Sequence, residues 1–258
     1  MASEKTINKT IELSHLESEG AKNIITELND LITDLKAKQL KIGSWYGQFD
    51  HTSQFEQINR GYNYAPLLGA ADDKNYPWFL YWEIVWVTLN SEFKRGQKVL
   101  DLGGSSSLFS YYLASKGLEV TTVDLQEDLV ENANHVAQQT DWKLENYVMD
   151  ITQAHFDFQF DHITSICVYE HIPLYDRVQI NKRIERLLGP GGRFSITFDY
   201  RSPSRCARIS SPEDVYEQFV KPSGLTTRGN QELVDTHQSY LLTSSILLPG
   251  DFSPIQND

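Results

Sequence analysis

The spacing of hydrophobic positions along the chain changes near residue 98. Before that point, Ile24, Leu28, Leu31 and Leu35 recur three and four residues apart, which predicts an amphipathic helix over 16–42. The longest apolar run, "PWFLYWEIVWVTL", contains one acid, Glu83, and predicts a buried helix. After residue 98, short strand-like runs alternate with helix-like stretches, so the two parts of the chain differ in organisation.

The second part predicts a sheet whose strands alternate with helices. Strand-like runs occupy 98–104, 118–125, 143–150, 161–169, 193–200 and 239–249. Helices are predicted over 106–116, 127–139, 175–188 and 211–220, the last with Ser211 as its cap and Pro212 at its first position. Such alternation is typical of a doubly wound α/β fold with a parallel sheet. Ligands in such folds bind beyond the carboxyl ends of the strands, so the loops after the strands hold the candidate chemistry.

Two regions are expected. Residues 1–95 form an N-terminal helical and aromatic region, and residues 96–258 form the α/β domain. The stretch 43–82 is rich in Trp, Tyr, Phe, Asn and Gly, which suits a cap over a binding site or an ordinary aromatic packing layer. Trp45, Tyr46, Tyr62 and Tyr64 are candidates for an apolar lid over a substrate.

Composition narrows the classes of function. The formal net charge is −12, which argues against general binding to nucleic acid phosphates. Two cysteines, Cys167 and Cys206, are too few for a disulfide framework or a cysteine-rich zinc site and fit a reducing cytoplasm. The polar start "MASEKTINKT" is unlike a signal peptide, and no apolar run reaches the length of a membrane span. We therefore expect a cytoplasmic protein without nucleic acid or membrane partners; its oligomeric state is not predicted.

The loop after the first strand reads "DLGGSSS". Gly103 and Gly104 let a ligand approach the main chain closely, and Ser105 and Ser106 are suited to cap the next helix. A dinucleotide site usually reads G-x-G-x-x-G, because the pyrophosphate presses against the backbone. With serines in place of further glycines, this loop favours a smaller or uncharged ligand group.

Acidic residues end the next two strands. Asp124 follows Asp101 by 23 residues and is placed to accept hydrogen bonds from both hydroxyls of a ribose. Asp150 lies 26 residues further on, where it can accept from an adenine amino group with Met149 and Ile151 against the ring. The alternatives are a solvated acid at the end of a strand for Asp124, and a helix cap or turn for Asp150.

The loop after the fourth strand, "CVYEHIP", holds three groups that can exchange protons. His171 is the first candidate for a general base, with Glu170 and Tyr169 as alternatives. Glu170 and His171 can equally be structural, bonding helix ends and backbone.

The order "VLDLGG", "VDL", "VMD", "ICVYEHI", "LLGPGGRFSITF" resembles the small-molecule branch of the class I S-adenosylmethionine-dependent methyltransferases. The resemblance covers roughly 98–199 and the closing strand at 240–249. It implies a Rossmann-like, seven-stranded sheet, mostly parallel with an antiparallel last strand. It also implies S-adenosyl-L-methionine as cofactor and methyl transfer to an O, N or C atom. The aromatic-rich stretch, with few basic groups, favours a small organic molecule of secondary metabolism as the methyl acceptor.

The resemblance also implies roles by position. Asp101, Gly103 and Gly104 would lie along the methionine part of the cofactor, with the Ser105 hydroxyl added nearby. Cofactor contacts are further implied for Asp124 at the ribose, Leu125, Met149, Asp150 and Ile151 at the adenine, and Cys167 and Val168 near the methionine end. Some relatives carry E-x-x-E-H in the fourth loop and bind a divalent metal. Here Cys167 replaces the first acid, so no metal is expected, because hard cations prefer oxygen ligands.

Arginines are the remaining candidates for binding the cofactor and the substrate. Arg60 could reach the carboxylate of the cofactor, and Arg201, in a segment that also contains Arg205 and Arg208, could bind a substrate carboxylate or phosphate. The alternative is that these arginines pair with local acids.

Two other functions stay open at this point. One is a cofactor-binding regulatory subunit without activity, since the motifs argue for binding and not for turnover. The other is a nicotinamide-dependent oxidoreductase, which the serines of the first loop disfavour.

Overall fold

A computed structural model describes residues 6–43, 76, 78–201 and 209–237. The chain divides into two compact units. We call Ser14–Val168 with Arg186–Thr197 the sheet unit, and the described parts of Met1–Leu13, Tyr169–Glu185 and Phe198–Asp258 the helical unit. The division predicted at residue 95 stays a prediction.

The sheet contains five described strands that all run parallel in the order β3-β2-β1-β4-β5. Their bounds are Lys98–Leu102 for β1, Glu119–Asp124 for β2, Leu144–Val148 for β3, Phe160–Ile166 for β4 and Leu188–Thr197 for β5. The order reverses between β1 and β4, as in doubly wound α/β folds. The predicted α/β, Rossmann-like fold is confirmed, whereas the strand predicted at 239–249 lies outside the described residues and a count of seven strands stays a prediction.

The described helices range from three residues in the shortest to nineteen in the longest. Their bounds are Glu19–Ala37 for α1, Trp78–Ser91 for α2, Leu108–Ser115 for α3, Glu127–Gln139 for α4, Leu174–Leu187 for α5, Pro212–Val215 for α6 and Lys221–Ser223 for α7. A π-helical turn, Tyr216–Val220, joins α6 to α7. Single 3₁₀ turns occupy Leu13–Glu17, Ile151–Gln153 and Tyr169–His171.

Helix α1 follows from its sequence pattern. The Ser18 hydroxyl accepts a hydrogen bond from the Ala21 N–H at 3.2 Å and so caps the first turn. The helix buries Ile24, Leu28, Leu31 and Leu35, as their spacing predicts, and packs against α2 and α3. It ends at Ala37, earlier than predicted, because Gln39 adopts a left-handed backbone with φ 59°.

Strand β5 begins earlier than the sequence predicted. The run "GPGG" favours a turn and a strand start at residue 193, yet β5 starts at Leu188. Leu188 pairs with Phe160 and Arg193 pairs with His162, with a register irregularity between the two pairs. The extra residues of the glycine-rich run are accommodated as a bulge, which a sequence cannot distinguish from a turn.

In the helical unit, the predicted start of the helix after β5 is confirmed. Ser211 accepts from the Asp214 N–H while the Asp214 carboxylate accepts from the Ser211 N–H, which is a reciprocal capping box, and Pro212 follows it. The start of the chain pairs with the far end of this unit. Lys9 bridges Val234, and the Asn230 side chain bonds the backbone of Asn8.

No helix in the described part of the chain combines the length and the hydrophobicity needed to span a membrane.

Candidate functional site

The turn after β1 is closed by two glycines for which the protein itself leaves no room for a side chain. Gly103 has φ +74°, and a Cβ atom there would lie 2.8 Å from the methyl carbons of Val168. A Cβ atom on Gly104 would overlap the carboxylate of Asp101. Internal packing against the side chains of Val168 and Asp101 is therefore sufficient to explain both glycines.

Asp101 lies beneath this turn and connects three elements. Its carboxylate accepts hydrogen bonds from the hydroxyls of Ser110 on α3, at 2.6 Å, and Thr164 on β4, at 2.8 Å. Burial raises its pKa to about 6, while the two hydroxyl donors lower that pKa and the charge of Asp124 raises it further. Asp101 thus holds the loop in shape, and its expected contact with a cofactor stays a prediction.

The three serines have separate partners, which corrects the expectation that Ser105 or Ser106 caps α3. The cap is Ser107, whose hydroxyl accepts from the Ser110 N–H at 3.0 Å. Ser105 bonds the Thr122 hydroxyl on β2 at 2.6 Å. Ser106, at φ +60°, donates to the Leu129 carbonyl of α4 at 2.6 Å. Each hydroxyl has a partner inside the sheet unit, which accounts for serine in positions where glycine was expected.

Asp124 ends β2 and is buried beside the same loop. Its carboxylate accepts from the Gln126 N–H at 3.0 Å, and the nearby backbone N–H groups of Leu125 and Ser105 also lower its pKa. Burial is the largest influence and raises its pKa, against the lowering effect of these three donors. The effect of the Ser105 N–H on this pKa sets the strand-end acid beside the loop after β1, and its expected contact with a ribose stays a prediction.

An apolar surface lies next to Asp124. The side chain of Leu125 is 70% exposed, and that of Val148 at the end of β3 is 54% exposed. The Met149 N–H donates to the Asp124 carbonyl at 2.8 Å, which fixes the loop after β3 beside the end of β2. Exposed apolar side chains at this position are suited to contact a flat ring.

Asp150 serves as a cap in this structure. Its carboxylate accepts from the Thr152 N–H at 2.8 Å at the start of the turn Ile151–Gln153. This is the structural alternative given by the sequence, and the expected contact with an adenine amino group stays a prediction.

Cys167 follows β4 and bonds Glu83, a residue that the sequence motifs did not include among the candidate site residues. Its backbone is left-handed, with φ +52°, and its thiol donates to the Glu83 carboxylate of α2 at 2.8 Å. Its N–H donates to the hydroxyl of Thr197 on β5 at 3.2 Å. The sequence did contain a signal for this contact. Glu83 is the single acid in an otherwise apolar helix, and a buried carboxylate requires a hydrogen-bonding partner.

Tyr169–His171, in the helical unit, form the 3₁₀ turn that carries the candidate base. Tyr169 is fully buried, its ring packs edge-on to Phe219 at 5.6 Å, and burial raises its pKa. Glu170 is buried, and His171 has a 72% exposed side chain whose Nε2 lies 4.0 Å from Oε1 of Glu170. A buried carboxylate behind an exposed imidazole suits proton transfer at the histidine. A buried phenol is a poor base.

The carboxyl groups of Glu170 and Asp199 are also close, with oxygens within 4.8 Å of one another. Arg201 forms an ion pair with Asp235 at 2.6 Å. Its guanidinium therefore has a local acid, as the alternative reading of the arginines expected, and substrate binding by Arg201 stays a prediction. Arg60 lies outside the described residues, as do the lid candidates Trp45, Tyr46, Tyr62 and Tyr64, together with Arg205 and Arg208.

Comparison with known proteins identifies a family for the part of the chain that contains these loops. Residues 100–196, from β1 to β5, match the family described as "Methyltransferase domain". These residues form a class I S-adenosylmethionine-dependent methyltransferase domain. The resemblance drawn from the sequence motifs is thereby confirmed, and it extends over both the β1 loop and the "YEH" turn.

Curated relatives match about half of the chain. A ubiquinone biosynthesis O-methyltransferase of Coxiella burnetii is 33% identical over 144 residues, which cover 51% of this chain and 61% of the relative. Its counterpart in Xanthomonas oryzae pv. oryzae is 30% identical over 145 residues, which cover 50% and 59% respectively. The chain thus spans about three fifths of the length of these relatives.

Among solved structures, a TehB-like SAM-dependent methyltransferase from Corynebacterium glutamicum is similar with a TM-score of 0.41. It is 24% identical, and the alignment covers 53% of this chain and 67% of that one.

Proposed function

We propose that this protein is an S-adenosylmethionine-dependent methyltransferase that methylates a small organic molecule. The observation that carries the proposal is the position of Asp124. Its buried carboxylate lies beside the loop after β1, whose Ser105 N–H lowers its pKa, within the region that matches the methyltransferase family. A strand-end acid fixed against a tight glycine turn is the arrangement that a nucleoside needs, since the acid accepts from two ribose hydroxyls.

The remaining cofactor contacts are assigned along the strand ends of the sheet unit. Leu125, with Met149 and Ile151, would contact the adenine, and Asp150 its amino group. Gly103, Gly104, Cys167 and Val168 would lie along the methionine part, and Arg60 would pair with its carboxylate. The cofactor has no phosphate, which is consistent with a loop whose serine hydroxyls already bond protein groups.

An oxygen atom is the favoured acceptor, because the named relatives are O-methyltransferases. The bound cofactor supplies an electrophilic methyl group, and the protein must orient and desolvate the acceptor. A hydroxyl acceptor must lose its proton, and we assign that step to His171. Glu170, with its carboxylate 4.0 Å from the imidazole, would stabilise the charged ring. We place the protein in the cytoplasm.

The proposal is tested by calorimetric titration with S-adenosylmethionine, S-adenosylhomocysteine and NAD. We expect saturable binding of the first two ligands, loss of that binding in Asp124→Ala, and retention in Asp128→Ala. Asp128 is the matched control because it is an exposed acid in the first turn of the adjacent helix. Binding of NAD alone would overturn the assignment and favour an oxidoreductase.

Turnover requires a second assay. Transfer of a tritiated methyl group from S-adenosylmethionine to a panel of small phenols and amines separates an enzyme from a regulatory subunit. Product formation on a phenol supports the O-methyltransferase reading. Binding without transfer to any member of a broad panel would favour the regulatory alternative.

A further inference from the structure

The helical unit contains a fully buried guanidinium group. Arg177, on α5, has no exposed surface. Arginine stays charged at all ordinary pH values, and burial of its charge is unfavourable unless hydrogen bonds offset the lost hydration. The groups that this side chain contacts are therefore informative about its role.

The guanidinium joins two segments that are distant in sequence. Its Nη2 atom donates to the Ile172 carbonyl at 3.0 Å, at the end of the turn that carries Glu170 and His171. Its Nη1 atom donates to the side-chain oxygen of Gln218, inside the π-helical turn after α6. One planar fork thus bonds both segments, which a lysine ammonium would not reproduce because it lacks the fixed geometry.

The π-helical turn is itself held from the same helix. Asn181, one turn further along α5, donates from its side-chain amide to the Gln218 carbonyl at 2.7 Å. Phe219 lies 5.7 Å from the guanidinium carbon of Arg177 and packs against Tyr169 and Phe198, at 5.6 Å and 4.9 Å between ring centroids. Such turns are uncommon and occur frequently at functional sites. The rings and the buried polar groups together fix the Tyr169 end of the 3₁₀ turn.

We propose that Arg177 is a positioning residue, which fixes the Tyr169–Ile172 turn against the π-helical turn and so sets the positions of the Glu170 and His171 side chains. The catalytic meaning of this arrangement rests on the proposed function. The structural claim concerns contacts inside the helical unit alone. Arg177 is distinct from the candidate base because it acts through the Ile172 carbonyl and does not exchange the proton.

The test is the imidazole spectrum of protein labelled with ¹³C at histidine. The chain has seven histidines, and loss of one signal in His171→Gln assigns His171. We expect Arg177→Met to shift or broaden the His171 signal while the other histidine signals keep their positions. The matched control is Arg186→Met, which removes an exposed arginine from the same helix and should leave the His171 signal unchanged. An unchanged His171 signal in a folded Arg177→Met protein would overturn the proposal.

A conservative variant keeps the test decisive if Arg177→Met does not fold. Arg177→Lys retains the charge but can satisfy only one of the two acceptors well, so the His171 signal must still shift. A wild-type signal in Arg177→Lys would show that the fork does not position the turn. Titration of the same samples with S-adenosylmethionine separates the two proposals. Absence of binding in the wild type contradicts the proposed function, whereas the histidine spectrum tests the role of Arg177 alone.

Discussion

Asp101 shows how one buried carboxyl group links the shape of a loop to pH. Its pKa is raised from 3.8 to about 6 because burial disfavours the charged form more than the hydroxyls of Ser110 and Thr164 stabilise it. Between these two values the folded protein retains a proton that the unfolded chain has lost. The free energy of unfolding therefore falls as pH rises through this window, and Asp101 is destabilising above it.

Asp101→Asn should remove this dependence. At pH 7 the ionised wild-type group costs about 3 kcal/mol, from about 1.4 kcal/mol per unit of pKa. We expect the stability of the wild type relative to Asp101→Asn to decline from pH 4 to pH 7, as measured by urea unfolding at each pH. Asp128→Asn, at an exposed position, is the control. Parallel curves for wild type and Asp101→Asn would show that Asp101 does not titrate in this range.

His171 gives the residue-scale prediction for catalysis. If it accepts the proton of a phenolic acceptor, His171→Gln should lower kcat by about 10²-fold or more while the Kd for S-adenosylmethionine changes little. The measurement is the initial rate of tritiated methyl transfer to 3,4-dihydroxybenzoate. His155→Gln, which changes a histidine with an 84% exposed side chain, should leave kcat unaltered. A wild-type rate in His171→Gln would remove His171 as the base.

At the scale of elements, the loop between β1 and α3 is joined by side-chain hydroxyls to β2 and α4. Ser106 has a left-handed backbone, where glycine is free of strain, yet it is a fully buried serine. Its hydroxyl donates to the Leu129 carbonyl at 2.6 Å and accepts from the Asn132 amide at 2.9 Å. Relief of backbone strain in Ser106→Gly is worth about 1 kcal/mol, whereas the hydrogen bonds that the buried hydroxyl makes are worth about 0.5–1.5 kcal/mol each.

Ser106→Gly should therefore destabilise the protein by about 1–2 kcal/mol, because the lost hydrogen bonds exceed the relief of strain. Gln39→Gly is the matched comparison, since Gln39 has nearly the same φ of 59° but is exposed after α1. That variant should stabilise by up to about 1 kcal/mol. Equal effects of the two substitutions in urea unfolding would mean that the Ser106 hydroxyl contributes nothing to the loop.

At the scale of the whole molecule, the start of the chain belongs to the same compact unit as its later part. The Asn230 side chain accepts from the N–H groups of Ile7, at 2.8 Å, and Asn8, at 2.9 Å, and donates to the Asn8 carbonyl at 2.6 Å. The Thr10 N–H donates to the Val234 carbonyl at 3.0 Å. A contact across more than two hundred residues of sequence is invisible to any local pattern.

Asn230→Ala should release this segment. We expect hydrogen exchange of the amides at residues 7–10 to accelerate by about tenfold or more, because a tenfold change corresponds to about 1.4 kcal/mol and several hydrogen bonds are lost. Amides of β1 should be unaffected. Gln231→Ala, at an exposed neighbouring position, serves as the control. Protection that persists in Asn230→Ala would show that other contacts hold the start of the chain.

The sequence by itself determined the order of elements in the sheet unit, the family and the strand-end positions of Asp101 and Asp124. The elements and their ends follow from periodicity and from glycine, proline and acidic residues at strand ends, which act over a few residues, whereas the family rested on the resemblance of the motifs. It also placed α4 at Glu127–Gln139, the bounds that the structure shows. The sequence did not predict the hydrogen-bond partners of the serines, the bond from Cys167 to Glu83 or the burial of Arg177.

Only the tertiary structure decided those points, because each depends on side chains that meet across elements distant in sequence. Ser106 was predicted as a cap from its position before a helix, but α4 brings the Leu129 carbonyl within its reach. In the sequence, Glu83 is one acid in an apolar helix. In the structure, its carboxylate accepts a hydrogen bond from Cys167, which follows β4. The sequence does not distinguish Arg177 from the other charged residues of α5. Its burial and its bond to the π-helical turn are visible only in the structure. Local pattern specifies which elements form, whereas long-range packing specifies what each polar group bonds.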